Sequence, residues 1–220
     1  MTEVEWLACE EPERILNFLR GSAFRNSLPE RKSRLFGLVC CNRVRQLLID
    51  PRTRRALDVL EQYTEGQVAS EDLRDAYDDA FRAANEIEET EGTRGAAQAA
   101  FAVAEACYEK EIADAYSGRV RFVVFFDEAR DEAPAQVALI RDIFGNPFAP
   151  VAFDPAWRTD TAVAVARQMY DSREFGAMPI LADALQDAGC DDEQVLAHCR
   201  DASQVHVRGC WVCDLVLGKE

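Results

Sequence analysis

The sequence predicts a compact all-α protein of roughly ten to twelve helices joined by short turns. Apolar residues recur at intervals of three and four over most of the 220 residues, which is typical of amphipathic helices. Residues that favour helix starts and ends separate these runs. No segment repeats at a fixed period, so a helical repeat array is not indicated. The chain is long enough to bury a substantial core, and we expect one domain over residues 1–220.

The predicted helices of the first half carry recognisable start signals. Thr2 and Glu5 have the spacing of a capping box. Pro12 and Pro29 each precede an apolar run, and proline is tolerated in a first helical turn. The DPRT stretch from residue 50 ends the third run, and a further helix follows. Ser70 is the expected N-cap of a long acidic helix. Its predicted buried face comprises Leu73, Tyr77, Phe81 and Ala84.

The middle of the chain contains the one ambiguous segment. An alanine-rich helix is predicted to end near Tyr116, because alanine favours helix. The following RVRFVVFFDEARDE alternates like a strand near 119–126, but its phenylalanines also fit a helix to Arg130. We favour the helix, because a lone strand would have no partner to pair with.

The last third predicts short helices around one irregular stretch. Pro134 begins a helix that the GNPF sequence at residues 145–148 ends with a glycine cap. The stretch PFAPVAFDPAW contains three prolines, which disfavour regular structure. It is the best candidate boundary if the chain divides into 1–146 and 158–220. Further helices are predicted after Thr159, over residues 178–188, after Asp192 and from Cys210 to Leu217.

The charge of the chain limits its partners. The formal net charge of −15 argues against nucleic-acid binding, because phosphate contacts need a basic surface. Residues 25–55 nevertheless carry nine basic and two acidic side chains, whereas residues 56–116 carry sixteen acids and four bases. The two segments either neutralise each other in the fold or present a basic surface to an acidic partner. The candidate interaction residues are Arg45, Arg52, Arg54 and Arg55.

The sequence carries no targeting or membrane signal. No apolar run reaches the ~18 residues of a membrane span. The opening MTEVEWLACEEPER is acidic and does not resemble a signal peptide. We therefore expect a cytoplasmic protein without membrane contact, whose eight cysteines are small apolar residues, metal ligands or redox thiols.

Signatures of catalysis are missing from the sequence. It contains no phosphate-binding GxxxxGK[ST], no GxSxG, no HExxH and no GxGxxG. The two histidines, His198 and His206, are the only candidate bases of that type. We expect no enzymatic activity.

The tail HCRDASQVHVRGCWVC, residues 198–213, is the one stretch rich in metal-binding side chains. Thiolates and imidazoles are the ligands that tetrahedral zinc takes, so zinc is the one cofactor that the sequence suggests. The spacing of a zinc finger is absent, and His198 and Cys199 diverge by about 100° on a helix. The predicted ligands are Cys190, His206, Cys210 and Cys213, with Cys199 as an alternative to Cys190.

Two other interpretations of the tail remain open. A CWVC motif at a helix N-terminus is typical of redox thiols, since the helix dipole lowers a thiol pKa there. The βαβ pattern that surrounds thioredoxin-like motifs is missing, however. The simplest interpretation is that Cys210 and Cys213 pack against the core as small apolar residues.

Several motifs together resemble one uncharacterised bacterial family with many paralogues in planctomycetes. They are MTEVEWLAC, LFGLVCCNRVRQLL, RDIFGNPFAPVAFDPAW, MPILADALQDAGC and HVRGCWVCDLVLGK, and they span nearly the whole chain. The resemblance implies a bacterial protein and assigns no activity to any residue. Members of that family often carry valine where this chain has Cys213, which argues against Cys213 as an indispensable ligand.

The sequence as a whole favours a non-catalytic helical protein that binds another protein, as an adaptor or interaction module. The first alternative is a small zinc-binding domain built on the tail. The second is a thiol redox protein that uses Cys210 and Cys213.

Overall fold

The computed structural model describes residues 1–23, 29–90, 94–108 and 132–219. Within these ranges the chain forms eleven α-helices and no strand, which confirms the predicted all-α class. The ambiguous segment at 119–126 lies outside the described residues. None of the described helices combines the length and the apolar character that crossing a bilayer requires.

The helices are numbered α1 to α11 in chain order. Their bounds are α1 Glu3–Ala8, α2 Pro12–Phe18, α3 Glu30–Arg43, α4 Pro51–Thr64, α5 Ser70–Glu88, α6 Arg94–Cys107, α7 Glu132–Phe144, α8 Asp160–Ser172, α9 Met178–Asp187, α10 Glu193–Arg200 and α11 Trp211–Leu217. A π-helical turn continues α2, and 3-10 turns occur at Arg45–Leu47, Pro155–Trp157 and Phe175–Ala177.

Local sequence signals begin most of the helices as predicted. The Thr2 hydroxyl accepts a hydrogen bond from the Glu5 N–H at 3.3 Å, and the Glu5 carboxylate accepts one from the Thr2 N–H at 2.8 Å. These two bonds form the predicted capping box. The side chains of Thr159 and Asp192 cap α8 and α10 by accepting hydrogen bonds from backbone N–H groups of the first helical turn.

Helix α5 departs from its prediction in two ways. Its N-cap is Ala69, whose N–H donates to the Asp72 carboxylate at 2.9 Å, and Ser70 is the first helical residue. Its buried face is also rotated, because Phe81 is 39% exposed. The fully buried positions of α5 are mostly alanines, which allow the alanine-rich α6 to approach closely. Small residues at this contact displace the larger aromatic side chains to its edge.

Helices α1 to α7 enclose the larger apolar core, here called the N-terminal cluster. Its buried members run from Trp6 on α1 to Phe144 at the end of α7. Leu57, Leu60 and Leu73 are among its fully buried side chains. Burial of one leucine stabilises a fold by roughly 1.5–3 kcal/mol. Packing in this cluster therefore holds α7 in position, and α7 carries the buried carboxylate of Asp142.

Helices α8 to α11 surround a separate apolar core, here called the C-terminal cluster. Its buried members run from Trp157 to Val216. Four cysteines belong to it, and each is less than 4% exposed: Cys190, Cys199, Cys210 and Cys213. The change from one cluster to the other falls in the proline-rich stretch. The expectation of one domain over residues 1–220 stays a prediction, as does the alternative division around the proline-rich stretch.

A polar network joins the two clusters. The Arg31 guanidinium on α3 donates to the Asp214 carboxylate on α11 at 2.8 Å and to the Tyr170 hydroxyl on α8 at 2.7 Å. Glu65 accepts from the Lys219 ammonium at 2.7 Å and also bonds the Tyr170 hydroxyl. We call these five residues the Arg31 network. It contains two cations and two carboxylates, so its formal charges balance.

Candidate metal centre

Four polar side chains from different elements converge at the boundary of the two clusters. They are Asp142 on α7, His198 on α10, His206 in the loop before α11, and Cys210 at the N-cap of α11. Their candidate ligand atoms all lie within 4.8 Å of one another. We call this group the metal centre.

The backbone around the metal centre holds two of its members in place. The Asp142 Oδ2 atom accepts a hydrogen bond from the Val207 N–H at 2.9 Å. Gly209 has a φ of 92°, and a Cβ at this position would lie only 2.7 Å from the Leu35 Cδ1 atom. Only glycine allows this left-handed turn against α3. The turn directs the Cys210 side chain into the protein interior.

The distances within the metal centre resemble those of a tetrahedral site. Asp142 Oδ1 lies 2.8 Å from His206 Nδ1 and 3.3 Å from His198 Nε2. Cys210 Sγ lies 3.2 Å from His198 Nε2 and 3.9 Å from His206 Nδ1. Zinc bonds of about 2.0–2.3 Å place tetrahedral ligand atoms roughly 3.3–3.8 Å apart. To bind one ion through all four atoms, the Asp142–His206 contact would lengthen by roughly half an ångström, and the widest separation in the group, 4.8 Å, would shorten by about 1 Å.

Protonation in the absence of metal follows from burial and from these contacts. Burial raises the pKa of Asp142, but hydrogen bonds from both histidines outweigh it and lower the pKa below its usual range. Burial lowers the pKa of His206, but bonds to Asp142 and Cys210 raise it to about 10. Burial raises the pKa of the Cys210 thiol well above its ordinary value. A metal ion that binds here must displace these protons.

The Trp211 indole reports on the state of His198. Its Nε1 atom lies 3.3 Å from the His198 Nδ1 atom, and this hydrogen bond requires the neutral ring with its proton on Nε2. Burial lowers the pKa of His198, but bonds to Asp142 and Cys210 raise it to about 9, so protonation of Nδ1 competes with the indole bond. A metal ion on Nε2 would move the proton to Nδ1, and the indole would then have to turn away. The environment of Trp211 should therefore change when a metal binds.

One ring nitrogen of the metal centre has no hydrogen-bond partner in the part of the chain that the structure describes. His206 Nε2 is buried and forms no hydrogen bond with any described residue. The ring can bind an ion through Nδ1, or through Nε2 while Nδ1–H donates to Asp142. Asp142 accordingly acts either as a ligand or as the carboxylate that orients a ligating histidine.

The structure brings together two of the four ligands predicted from the tail. His206 and Cys210 belong to the metal centre, whereas Cys190 and Cys213 lie outside it. Cys213 Sγ instead contacts the Met178 Sδ atom at 3.7 Å within the C-terminal cluster. His198 and Cys199 diverge on α10, as expected, and only His198 belongs to the metal centre. The divergence therefore does not prevent His198 from being a ligand.

Sequence analysis missed Asp142, which lies 64 residues before His206. The available signal was an acid on the apolar face of a helix, since Leu139, Ile140 and Ile143 around it are buried. Buried carboxylates need a charged or hydrogen-bonded partner. That requirement could have linked Asp142 to the only two histidines of the chain.

No protein-family model, curated protein or solved structure matches this chain. The resemblance to the planctomycete family stays a prediction. Functional assignments therefore depend on the geometry of this chain alone.

The predicted interaction arginines are largely engaged within the protein. Arg45 pairs with Asp58 at 3.1 Å, and Arg52 pairs with both Asp50 and Glu86. Arg54 donates to a backbone carbonyl of residue 48, and Arg55 is exposed. The Arg45–Asp58 and Arg52–Glu86 pairs join the basic and acidic segments, as the neutralisation interpretation predicts. They leave less positive charge for a partner.

The surroundings of the CWVC thiols do not favour redox chemistry. Cys210 and Cys213 are both 0% exposed. Burial also keeps the Cys210 thiol protonated by raising its pKa, whereas a reactive thiol needs a lowered pKa and solvent access. The metal centre is the arrangement with the clearest chemical capacity among the described residues.

Proposed function

We propose that this chain is a zinc-binding protein and that Asp142, His198, His206 and Cys210 hold one structural zinc ion. The observation that carries the proposal is the convergence of four metal-ligand atoms from three helices and a loop into one buried site. Two of the distances, 3.2 and 3.3 Å, lie close to those of a tetrahedral zinc site.

The donor set favours zinc over other common ions. Calcium and magnesium prefer oxygen ligands, whereas imidazole and thiolate suit zinc. Two neutral imidazoles, one carboxylate and one thiolate also supply two negative charges, which balance a divalent cation. Neutrality matters here because each member of the group is less than a tenth exposed, and buried net charge is costly.

The number of donors favours a structural role for the ion. Catalytic zinc sites keep an open position for water or substrate, whereas structural sites use four protein ligands. The proposal therefore retains the expectation of a non-catalytic protein that acts by binding another protein.

The proposal is tested by elemental analysis of the full chain, purified without chelator or metal-affinity resin. We expect about one zinc ion per chain. The Cys210→Ser and His206→Ala variants should lose it, and Cys190→Ala and Cys213→Ala should retain it. Absence of zinc from a folded wild-type chain supplied with zinc would contradict the proposal.

A spectroscopic readout distinguishes this site from adventitious surface binding. Added zinc should change the emission of metal-free protein, because the Trp211 indole loses its bond to His198 Nδ1. The change should vanish in Trp211→Phe, which retains Trp6 and Trp157. An unchanged response in that variant would place the ion elsewhere.

A further inference from the structure

The ligands of the metal centre belong to both halves of the fold. Asp142 lies on α7 between Ile140 and Ile143, which are members of the N-terminal cluster. Cys210 is itself a member of the C-terminal cluster, and His198 lies on α10 beside Cys199 of that cluster. An ion bound by all of them is bonded to both cores.

The loop between two of the ligands carries the residue that contacts both halves. Arg208 lies two residues from His206 and two from Cys210. Its Nη1 atom donates to the Glu61 carboxylate on α4 at 2.8 Å, and its Nε atom donates to the Tyr170 carbonyl on α8 at 2.6 Å. The guanidinium also lies 5.0 Å from the centre of the Tyr170 ring. Its side chain is 17% exposed.

Polar contacts of this kind do not by themselves fix two units rigidly. Arg208 and the Arg31 network join the two clusters through charged groups. The loop adds apolar contacts, because Val207 packs against the N-terminal cluster and Gly209 lies against Leu35. Interfaces of this character permit relative motion unless something else constrains them. The loop at His206–Cys210 ends in two ligands, so an ion constrains both ends of the segment that presents Arg208.

We propose that zinc controls the joint between the two clusters, with Arg208 as the positioning residue that transmits the effect to α4. This inference rests on the proposed zinc site. With zinc bound, the loop is held at His206 and Cys210, and Arg208 remains between Glu61 and the end of α8. Without zinc, the loop loosens, and the contact between α4 and α8 opens more often.

The test measures backbone hydrogen exchange of the full chain with and without zinc. The protein is stripped with a zinc chelator, and one equivalent of zinc is added to half of the sample. Exchange in peptides that contain residues 60–66 and 168–173 should be slower with zinc by at least about fivefold. These peptides contain no ligand, so the effect must pass through the structure. The α5 helix serves as the internal reference.

Two arginine variants test whether Arg208 carries the effect of zinc to α4 or whether zinc stabilises the whole fold. Arg208→Gln should still bind one zinc ion, but zinc should no longer slow exchange at residues 60–66. Arg173→Gln is the matched control, because Arg173 also donates to Glu61 but lies outside the loop and is 62% exposed. Zinc should continue to slow exchange at residues 60–66 in that variant.

The outcomes distinguish the inference from the proposed function. If zinc binds but slows hydrogen exchange only in peptides that contain ligands, the proposed control of the joint is overturned and the zinc site stands. An undiminished zinc effect in Arg208→Gln would overturn the role of Arg208. Failure of the wild-type chain to bind zinc would overturn both proposals.

Discussion

Two polar sites, the partly exposed Arg31 network and the buried metal centre, join the same halves of this protein, and their chemistry differs. The Arg31 network pairs arginine and lysine with two carboxylates, and direct hydrogen bonds link its members. The metal centre contains one carboxylate, two imidazoles and a thiol. The Lys32 ammonium lies near it and donates to the Ile143 carbonyl at 2.7 Å. Burial lowers the Lys32 pKa, and the charges of Asp142 and Cys210 act to raise it against this larger effect. The His206 Nε2 atom of the metal centre has no partner among the described residues.

The difference indicates what each cluster requires. The Arg31 network is electrically complete, so it stabilises the joint as soon as the chain folds. The metal centre directs several lone pairs at one point and holds protons where a cation would bind. If the proposed zinc site is correct, a zinc ion replaces those protons. Variants of the metal centre should change the stability that zinc adds, whereas variants of the Arg31 network should change stability with and without zinc.

The largest effect is expected from the loss of a ligand. Cys210→Ser should weaken zinc binding on the order of a hundredfold or more. At a zinc concentration that half-saturates the variant, zinc stabilises wild type by about 2.7 kcal/mol and the variant by about 0.4 kcal/mol, so the substitution costs about 2.3 kcal/mol of the free energy of unfolding. Chemical denaturation with and without zinc measures it. Cys213→Ala, which lies outside the metal centre, should keep the zinc-dependent increment. Equal increments in Cys210→Ser and wild type would contradict the assignment.

Breaking the Arg31 network should destabilise the protein with and without zinc. Arg31→Gln leaves the Asp214 carboxylate, which is 2% exposed, without its guanidinium partner. Loss of one member of a buried pair costs about 3–5 kcal/mol, and partial exposure of Arg31 reduces this to roughly 2–3 kcal/mol. Zinc content should remain at one per chain. As a control, Arg14→Gln removes an exposed pair and should leave the unfolding midpoint unchanged.

Replacement of Gly209 by alanine should destabilise the protein more than the same replacement at another glycine with nearly the same φ. Gly209→Ala introduces strain and a contact with Leu35, and we expect a loss of about 2 kcal/mol. Gly189 has a φ of 91°, but a Cβ there would meet open space within 4 Å, so Gly189→Ala should lose only about 1 kcal/mol. Zinc affinity should fall in the first variant alone. Equal losses in both would show that Leu35 does not restrict the turn.

The Arg31 network and the metal centre should also respond differently to acid. Burial raises the pKa of Glu65, but bonds from Lys219 and Tyr170 and the charge of Arg31 outweigh it and lower the pKa below 4.5. Glu65 thus stabilises the fold above its unfolded pKa, and this contribution is lost as the pH falls through the lower folded pKa. The stability gap between wild type and Glu65→Gln should close only in that acidic range. Zinc binding should also weaken as the pH falls, because protons compete for the ligands. This loss should begin at a higher pH than the loss of the Glu65 contribution, because the pKa values of His206 and Cys210 are raised. A gap that persists in acid would contradict this account of Glu65.

The smallest effect on folding is expected at the arginine surface. Replacement of Arg52, Arg54 and Arg55 together by glutamine should shift the unfolding midpoint by no more than about 3 °C, because partly exposed ion pairs contribute little and glutamine adds no negative charge beside Asp50 and Glu86. If this surface binds an acidic partner, the variant should lose capture of that partner from lysate. Unchanged capture would show that the surface acts only within the fold.

The sequence determined the local structure of this protein. Capping residues and apolar periodicity acted within a few residues, so Thr2, Pro12 and Asp192 predicted their helices correctly. It also predicted a metal site in the tail, and two members of the metal centre, His206 and Cys210, were among the predicted ligands. These features depend on neighbours along the chain, which is what a sequence displays.

Only the tertiary structure decided which side chains meet. Asp142 joins the histidines because α7 packs in the N-terminal cluster while the tail folds back over it. Cys213 and Cys190 are removed from the centre by the packing of the C-terminal cluster. The alanine contact of α5 and α6 likewise turned Phe81 outward. Each of these outcomes depends on contacts between residues far apart in sequence, and local periodicity contains no information about them.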